Sequence, residues 1–520
     1  MGARELLEAL ARNPALPAPM VDRLILSADL DLADELADRS DLDGDQVREL
    51  ARRSEWAAAR LVRDGRLTAD RVDPVDRPSI ALALLDEGHG LGDWAHLFAA
   101  DPDPARREKL AACPGLPAEV NVRLAADPDM RVVTELAIFT TDRDLLTSLA
   151  RHPHADVRSG VAANPATPPE VLAALVAVHW RGAGSPPDTC DVCEREPIPF
   201  VHHPECPRLD CDLPPGAACD GTHESVIHSL LYRAVDNPST PASAAAELVE
   251  HPSMIVRWTL ATRPDLPAEV AERLADDPIP GVRADLADNP SLSEHLIRRL
   301  AGDTSPDVRR RVTHNPNVPL ELLTRASGSA LLPRIAVAGP DEVRHLATSS
   351  EPQLRALVAE RRDLPPDVRD RLARDPDSKV VKAVAPHRGL SEDLLREMVT
   401  RHGVRVIAKV ATNPDASPAL LLDLARHVPR VQKVFREIAR RPDAPAAALE
   451  LCLTDTQARS IAAAHPALPV DRIVELLGDE DDRVAAAAAI NPSLPMSEMD
   501  RLTGLVVLPT DVGNAVEFRK

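Results

Sequence analysis

Aromatic side chains are nearly missing from this chain: five Phe, four Trp and one Tyr serve 520 residues. A core without rings must be filled by Ala, Leu and Val, whose small volumes let short helices approach closely. A surface without rings suits neither a flat-ligand pocket nor a base-stacking platform. Long apolar runs are missing too, and no stretch approaches the ~20 residues that a membrane helix requires. Met1 to Asn13 carries Arg4, Glu5, Glu8 and Arg12 and so lacks the apolar core of a signal peptide, which predicts a cytoplasmic protein. Positive charge is in deficit. The formal net charge of −21 disfavours nucleic acid as the main partner, because phosphate backbones need clustered Lys and Arg. One stretch runs against that balance: from Arg355 to Arg441, nineteen Lys and Arg stand against twelve Asp and Glu. A solvated face of charged helices is the expectation there, with an anionic partner, nucleic acid included, as the outlying reading. Enzyme signatures are also lacking: there is no phosphate loop, no G-x-S-x-G elbow and no HExxH. The recurrent carboxylates, such as Asp276 with Asp277 or Asp479 to Asp482, fall at turn positions, where they cap helices. A non-enzymatic protein is expected.

Proline, by contrast, is abundant, with fifty residues, and it is periodic. An X-Pro step followed by an aliphatic residue and a second proline recurs at Asn13-Pro14-Ala15-Leu16-Pro17, Cys113 to Pro117, Arg263 to Pro267, His465 to Pro469 and Asn491 to Pro495. Pro238, Pro264, Pro290 and Pro316 are each separated by 26 residues. A fixed period marks a solenoid, in which each unit buries its apolar face only against its neighbours. Residues 263–288 show the pattern: Pro267 fits a first helical turn, and Val270, Leu274 and Ala275 then recur at helical spacing. Asp277-Pro278 stops that helix, and a shorter helical piece follows from Val282 to Ala287. Residues 39–112 keep only the aliphatic position, at Leu42, Leu67 and Leu91, and read as weakened copies.

The period of about 26 is too short for the two full helices of HEAT, armadillo or tetratricopeptide units, and strand-forming patterns are absent. One α-helix plus one short, partly 3₁₀ helix fits. Arg158, Arg257, Arg283 and Arg309 follow valine at the start of the second helix. An internal ladder pairing with acids of adjacent units explains them better than a ligand-binding row, since other copies carry Val133, Val381 or Ile407 there.

Five of the seven cysteines interrupt the period. Behind a Gly- and Pro-rich linker come Cys190-x2-Cys193, then Cys206, Cys211 and Cys219, among Pro197, Pro199, Pro204, Pro207, Pro214 and Pro215. Such a segment cannot form a regular helix, and in a reducing compartment a thiolate cluster reads as a metal site rather than a disulfide framework. Cys190, Cys193, Cys206 and Cys211 are the favoured ligands; Cys219 replaces one of them or stays spare. Spacing alone leaves Zn²⁺ and an iron–sulfur cluster open, and His202, His203 and His223 stand near enough to join a zinc site. Trp180, Phe200 and Tyr232 bracket the module and predict a small local core that docks it. Cys113 and Cys452 fall at repeat positions and read as buried small apolar residues.

The N-P-x-L-P…D-P…V-R pattern over roughly 1–178 and 230–505 resembles the leucine-rich repeat variant (LRV) proteins. That resemblance implies an all-α, right-handed α-solenoid of alternating α- and 3₁₀-helices interrupted here by the cysteine module. It also implies a 4Fe-4S cluster on those cysteines, with structural zinc as the alternative. In the family the module precedes the repeats, whereas here degenerate copies come first. The expected organisation is an N-terminal array at 1–178, a metal module at 179–229, a second array at 230–505 and a tail at 506–520. The expected function is a scaffold for another protein, its cluster structural or redox-sensing; an electron-transfer protein associated with an oxidoreductase is the runner-up.

Overall fold

The computed structural model describes residues 2–181, 224–251, 253–325 and 331–504, and within them every regular element is a helix. Residues 263–288 show why. Pro267 holds an extended backbone (φ −62°, ψ 145°) and launches the helix Ala268–Leu274, whose Val270, Ala271 and Leu274 are buried. A turn through Asp276 and Asp277 follows, and the second helix, Pro280–Ala287, opens on a proline in its first turn, where no N–H is missed. Its buried stripe is Val282, Ala284, Leu286 and Ala287. Burying a Val or Leu side chain stabilises by about 1.5–3 kcal/mol, so no unit of this size stands alone and stacking is obligatory.

The second helix is not the minor, partly 3₁₀ partner. It is α-helical and, in this unit, one residue longer than the first, at eight residues against seven. The 3₁₀ turns fall elsewhere: the unit after Asn315 uses one, Leu320–Arg325, as its first helix, and Gly403–Arg405 leads into Ile407–Ala411. Small residues let the second helices pack as regular α-helices, so nothing forces the tighter winding.

Helix contacts divide the chain into two compact units, one of Thr68–Gly328 with Leu332–Val337, the other of Met1–Leu67 with Ser329–Leu331 and Ala338–Lys520. In the first, the second helices stack in the order Pro78–Asp86, Pro104–Ala111, Met130–Phe139, Ala155–Ala163, then directly Glu224–Asp236, Met254–Ala261, Pro280–Ala287 and Pro306–Val312. In the other they run from Pro352–Ala359 through Ser378–Val384, Ile407–Ala411, Gln432–Ala439 and Arg459–Ala463 to Asp482–Ile490. The stack then continues with Ala3–Ala11, Leu30–Ala37 and Glu55–Arg63. The beginning of the chain therefore docks on the unit that starts at Asn491. The weakened copies at 39–112 are helical too, although the one after Arg66 has only the 3₁₀ turn Ala69–Arg71 in place of a first helix.

In most of the units a buried side chain at the first position ties the unit to the one before. Asn289 Nδ2 donates to the Ala261 and Arg263 carbonyls at 2.6 and 2.8 Å, while its Oδ1 accepts from the Ser291 N–H at 2.9 Å. An amide offers two donors and an acceptor, so this rung satisfies itself completely without water. Asn164, Asn237, Asn315, Asn413 and Asn491 repeat the geometry. His387 and His465 replace it with one Nε2 bond each, at 2.8 Å. Where arginine takes the place, Arg66 reaches the Ala37 and Arg39 carbonyls with Thr68 behind it, but elsewhere an aspartate follows two residues later and closes a fork on the guanidinium: Arg39 with Asp41, Arg263 with Asp265, Arg361 with Asp363 and Arg441 with Asp443. That acid offsets the cost of burying the charge.

Candidate functional site

In sequence, the cysteine-rich insert lies between the helices Pro169–Arg181 and Glu224–Asp236. Cys190, Cys193, Cys206, Cys211 and Cys219 lie outside the described residues, as do His202, His203, His223 and Phe200 and the tail after 504. What the structure does describe is the joint beneath the insert. Asn237 Nδ2 donates to the Ala162 and Asn164 carbonyls at 2.9 and 2.8 Å, and Ser239 Oγ donates to the Pro165 carbonyl at 3.0 Å. The units that start at Asn164 and Asn237 are thus immediate neighbours in space, although residues 182–223 separate them in sequence.

Around that joint, the Trp180 ring packs on His251 with centroids 4.7 Å apart, a contact between residues of the repeat helices and their turns. Tyr232 remains 37% exposed. Nearby lies a cavity of about 470 Å³ lined by Thr147, Arg151, Glu170, Val171, Ala174 and His179. Burial pushes the His179 imidazole down to about 4, with the Arg158 charge adding to the effect, so it stays neutral at physiological pH. Arg158 itself donates to the His152 carbonyl at 2.9 Å.

Cys113 and Cys452 are buried repeat residues, as expected, and burial pushes both thiols up to about 12. A thiol held protonated in this way is a poor nucleophile and a poor metal ligand. Among the described residues no three His, Cys, Asp or Glu side chains converge as a metal site would require. None of their helices is long and apolar enough to cross a membrane.

The arginine row is an internal ladder. Arg257 Nε meets Asp277 at 2.6 Å, and Arg283 Nε meets Asp303 at 2.8 Å. Arg283 Nη1 also donates to the Asp277 carbonyl at 2.6 Å, so each aspartate links two arginines of successive units. Arg107 with Asp127 and Arg355 with Asp375 repeat the pair. Arg309 meets no such acid among the described residues and holds the Asp303 and Thr304 carbonyls of its own turn. The Arg283 guanidinium keeps the Asp303 carboxyl below the usual carboxylate range.

The basic stretch splits in two. Arg355, Arg361, Arg374, Arg396, Arg401 and Arg441 are all engaged with carboxylates. Lys379, Lys382 and Arg405 are exposed, project from second helices or the turn leading into one, and form no such pair among the described residues. Neither composition nor periodicity separates these groups; a twenty-residue Arg-to-Asp spacing marks only Arg355, and an Asp two residues on marks Arg361 and Arg441.

The described residues thus define an all-helical repeat protein. Residues 256–279 match the leucine rich repeat variant family. Among solved structures, a leucine-rich repeat variant with a novel repetitive structural motif is 18% identical, with a TM-score of 0.29, over 53% of this chain and 87% of that one. The Pds5–Scc1 complex is 11% identical (TM-score 0.22; 95% and 86% covered). The SYS-1/POP-1 complex is 13% identical (TM-score 0.21; 95% and 100% covered). No curated protein matches the chain.

Proposed function

We propose that this is a non-enzymatic helical-repeat scaffold that binds another protein along its stacked helices. It carries the cysteine insert as an appended 4Fe-4S module, structural or redox-sensing, in a reducing cytosolic setting. The observation that carries the reading is the joint at Asn164 and Asn237: the stack needs nothing from the insert to be continuous. Four thiolates among Cys190, Cys193, Cys206, Cys211 and Cys219 would hold the cluster, and metal ligation would order an otherwise proline-broken segment.

The test is anaerobic purification with visible spectroscopy and metal analysis. A brown protein with broad visible absorption and four irons per chain is expected on the composition of the cluster. Replacing Cys190 and Cys193 by Ala should abolish the colour and leave the far-ultraviolet helical signal intact. Colourless protein with stoichiometric zinc would replace the cluster by a structural zinc. Loss of helicity throughout would show that the array depends on the module after all.

A further inference from the structure

The second helices of three consecutive stacked units place six cations together: Lys379 and Lys382, then Arg405 and Lys409, then Lys433 and Arg436. The helices Ser378–Val384, Ile407–Ala411 and Gln432–Ala439 pack in succession, and their buried residues (Val380, Val381 and Val384; Ile407 and Val410; Val434, Phe435 and Ile438) point the other way. Lys379, Lys382, Arg405 and Lys433 are exposed, and Lys409 and Arg436 half-buried. None of the six forms an ion pair among the described residues, although most arginines of the same stretch do. Glu360 is a carboxylate that feels this row, through Lys409 and Lys382. The row is bounded: one unit earlier the matching positions are Gln353 and Ala356, and one unit later Gln457 and Ser460.

We infer that this row is a docking surface for a short acidic polypeptide segment laid across three successive units. The inference rests on the scaffold reading and names the chemistry of the partner. Packed helices lie about 9 Å apart, so three of them span about 18 Å, a length that about six extended residues cover. A segment of that size ends within the row. A nucleic acid fits less well, because the one aromatic on these helices, Phe435, is buried and offers no base a stacking surface. A long polyanion would also leave the row and meet a protein whose net charge is −21. Unpaired cations on successive units recognise carboxylates through complementarity and steering, and that attraction weakens with salt.

The experiment measures fluorescence anisotropy of a labelled deca-glutamate and of a ten-nucleotide oligothymidylate against the full-length protein. It includes the variant Lys379→Glu/Arg405→Glu/Lys433→Glu. A control, Arg371→Glu/Arg388→Glu/Arg426→Glu, makes the same change of charge on exposed arginines off the row. Circular dichroism checks that both variants fold, and a salt titration of the unaltered protein gives a second, variant-independent measurement. Deca-glutamate binding that weakens at least about tenfold in the row variant, falls far less in the control and fades with salt supports the inference. Equal loss in both variants, tighter binding of the oligothymidylate, or no binding of either probe overturns it. Hydrogen exchange with a polypeptide that co-purifies separates the two levels of the argument. A footprint over several first helices would overturn the row and leave the scaffold standing; no footprint on any helix would remove both.

Discussion

Two joints in this protein connect units that are not consecutive in sequence, and they are built alike. Under the cysteine insert, Asn237 reaches carbonyls 75 and 73 residues away; at the chain's beginning, Asn13 reaches the Ala489 and Asn491 carbonyls, 476 and 478 residues away, at 2.9 and 2.8 Å. The hydrogen-bond distances match those within ordinary neighbouring units. The difference lies at the rim. The insert joint adds a neutral bond from Ser239 to the Pro165 carbonyl, whereas the terminal joint adds an ion pair between Arg23 and Asp500 at 2.7 Å, both side chains well exposed. A unit is therefore recognised by the surface of its predecessor and not by chain continuity; neighbours in space need not be neighbours in sequence.

The sharpest way to break that equivalence is to remove the same rung from each joint. Asn237→Ala and Asn13→Ala each strand one buried carbonyl, of Ala162 and of Ala489, while the Asn164 and Asn491 carbonyls keep the Thr167 and Leu494 N–H groups; each should cost about 1–3 kcal/mol of local stability. Hydrogen exchange should show the consequence differently: Asn13→Ala should release protection only over the first units, up to about Arg53, whereas Asn237→Ala lies mid-stack and should weaken protection on both sides. Equal, global loss in both would mean that the terminal joint is as integral as an interior one.

A second comparison concerns a rung made by histidine. Burial pushes His387 down to about 4, below its ordinary 6.5. A histidine held neutral in the fold contributes stability that is fully present above pH 6.5 and is lost as the pH falls toward 4. The loss should reach about 2 kcal/mol by about pH 5. His387→Asn installs the amide used elsewhere in the ladder, and thermal denaturation between about pH 7 and 5 should then vary less than in the unaltered protein. The smallest effect belongs to the rim: Arg23→Ala should cost less than about 1 kcal/mol, and that cost should vanish at high salt.

The repeat itself was legible because proline and the aliphatic positions mark where helices start and what they bury. Arg257 and Arg283 were also readable as internal, since a shared binding row would not alternate with Val133 or Ile407. The reason for asparagine before proline was not read, although the sequence carries a signal for it. Every arginine of the ladder that closes a fork is followed two residues later by aspartate, as in Arg263-Pro264-Asp265 and Arg441-Pro442-Asp443. The docking of the first units on the last could not be read at all. Each unit presents the same small apolar faces, so no local pattern says which partner a terminal face will meet. The length of the second helix was misjudged because Asp-Pro and Asn-Pro steps bound it tightly, while Ala-rich stretches such as Val484 to Ala489 still wind as regular α-helix.

The ladder also has a direction. Every rung gives protons backward, so a stack ends with spare acceptors on one side and a spare donor on the other. Duplication, loss or transplantation of a unit leaves both kinds of end unchanged. A lineage carrying this grammar can lengthen its array, or hang a foreign module such as the cysteine insert between two members, without redesigning either neighbour.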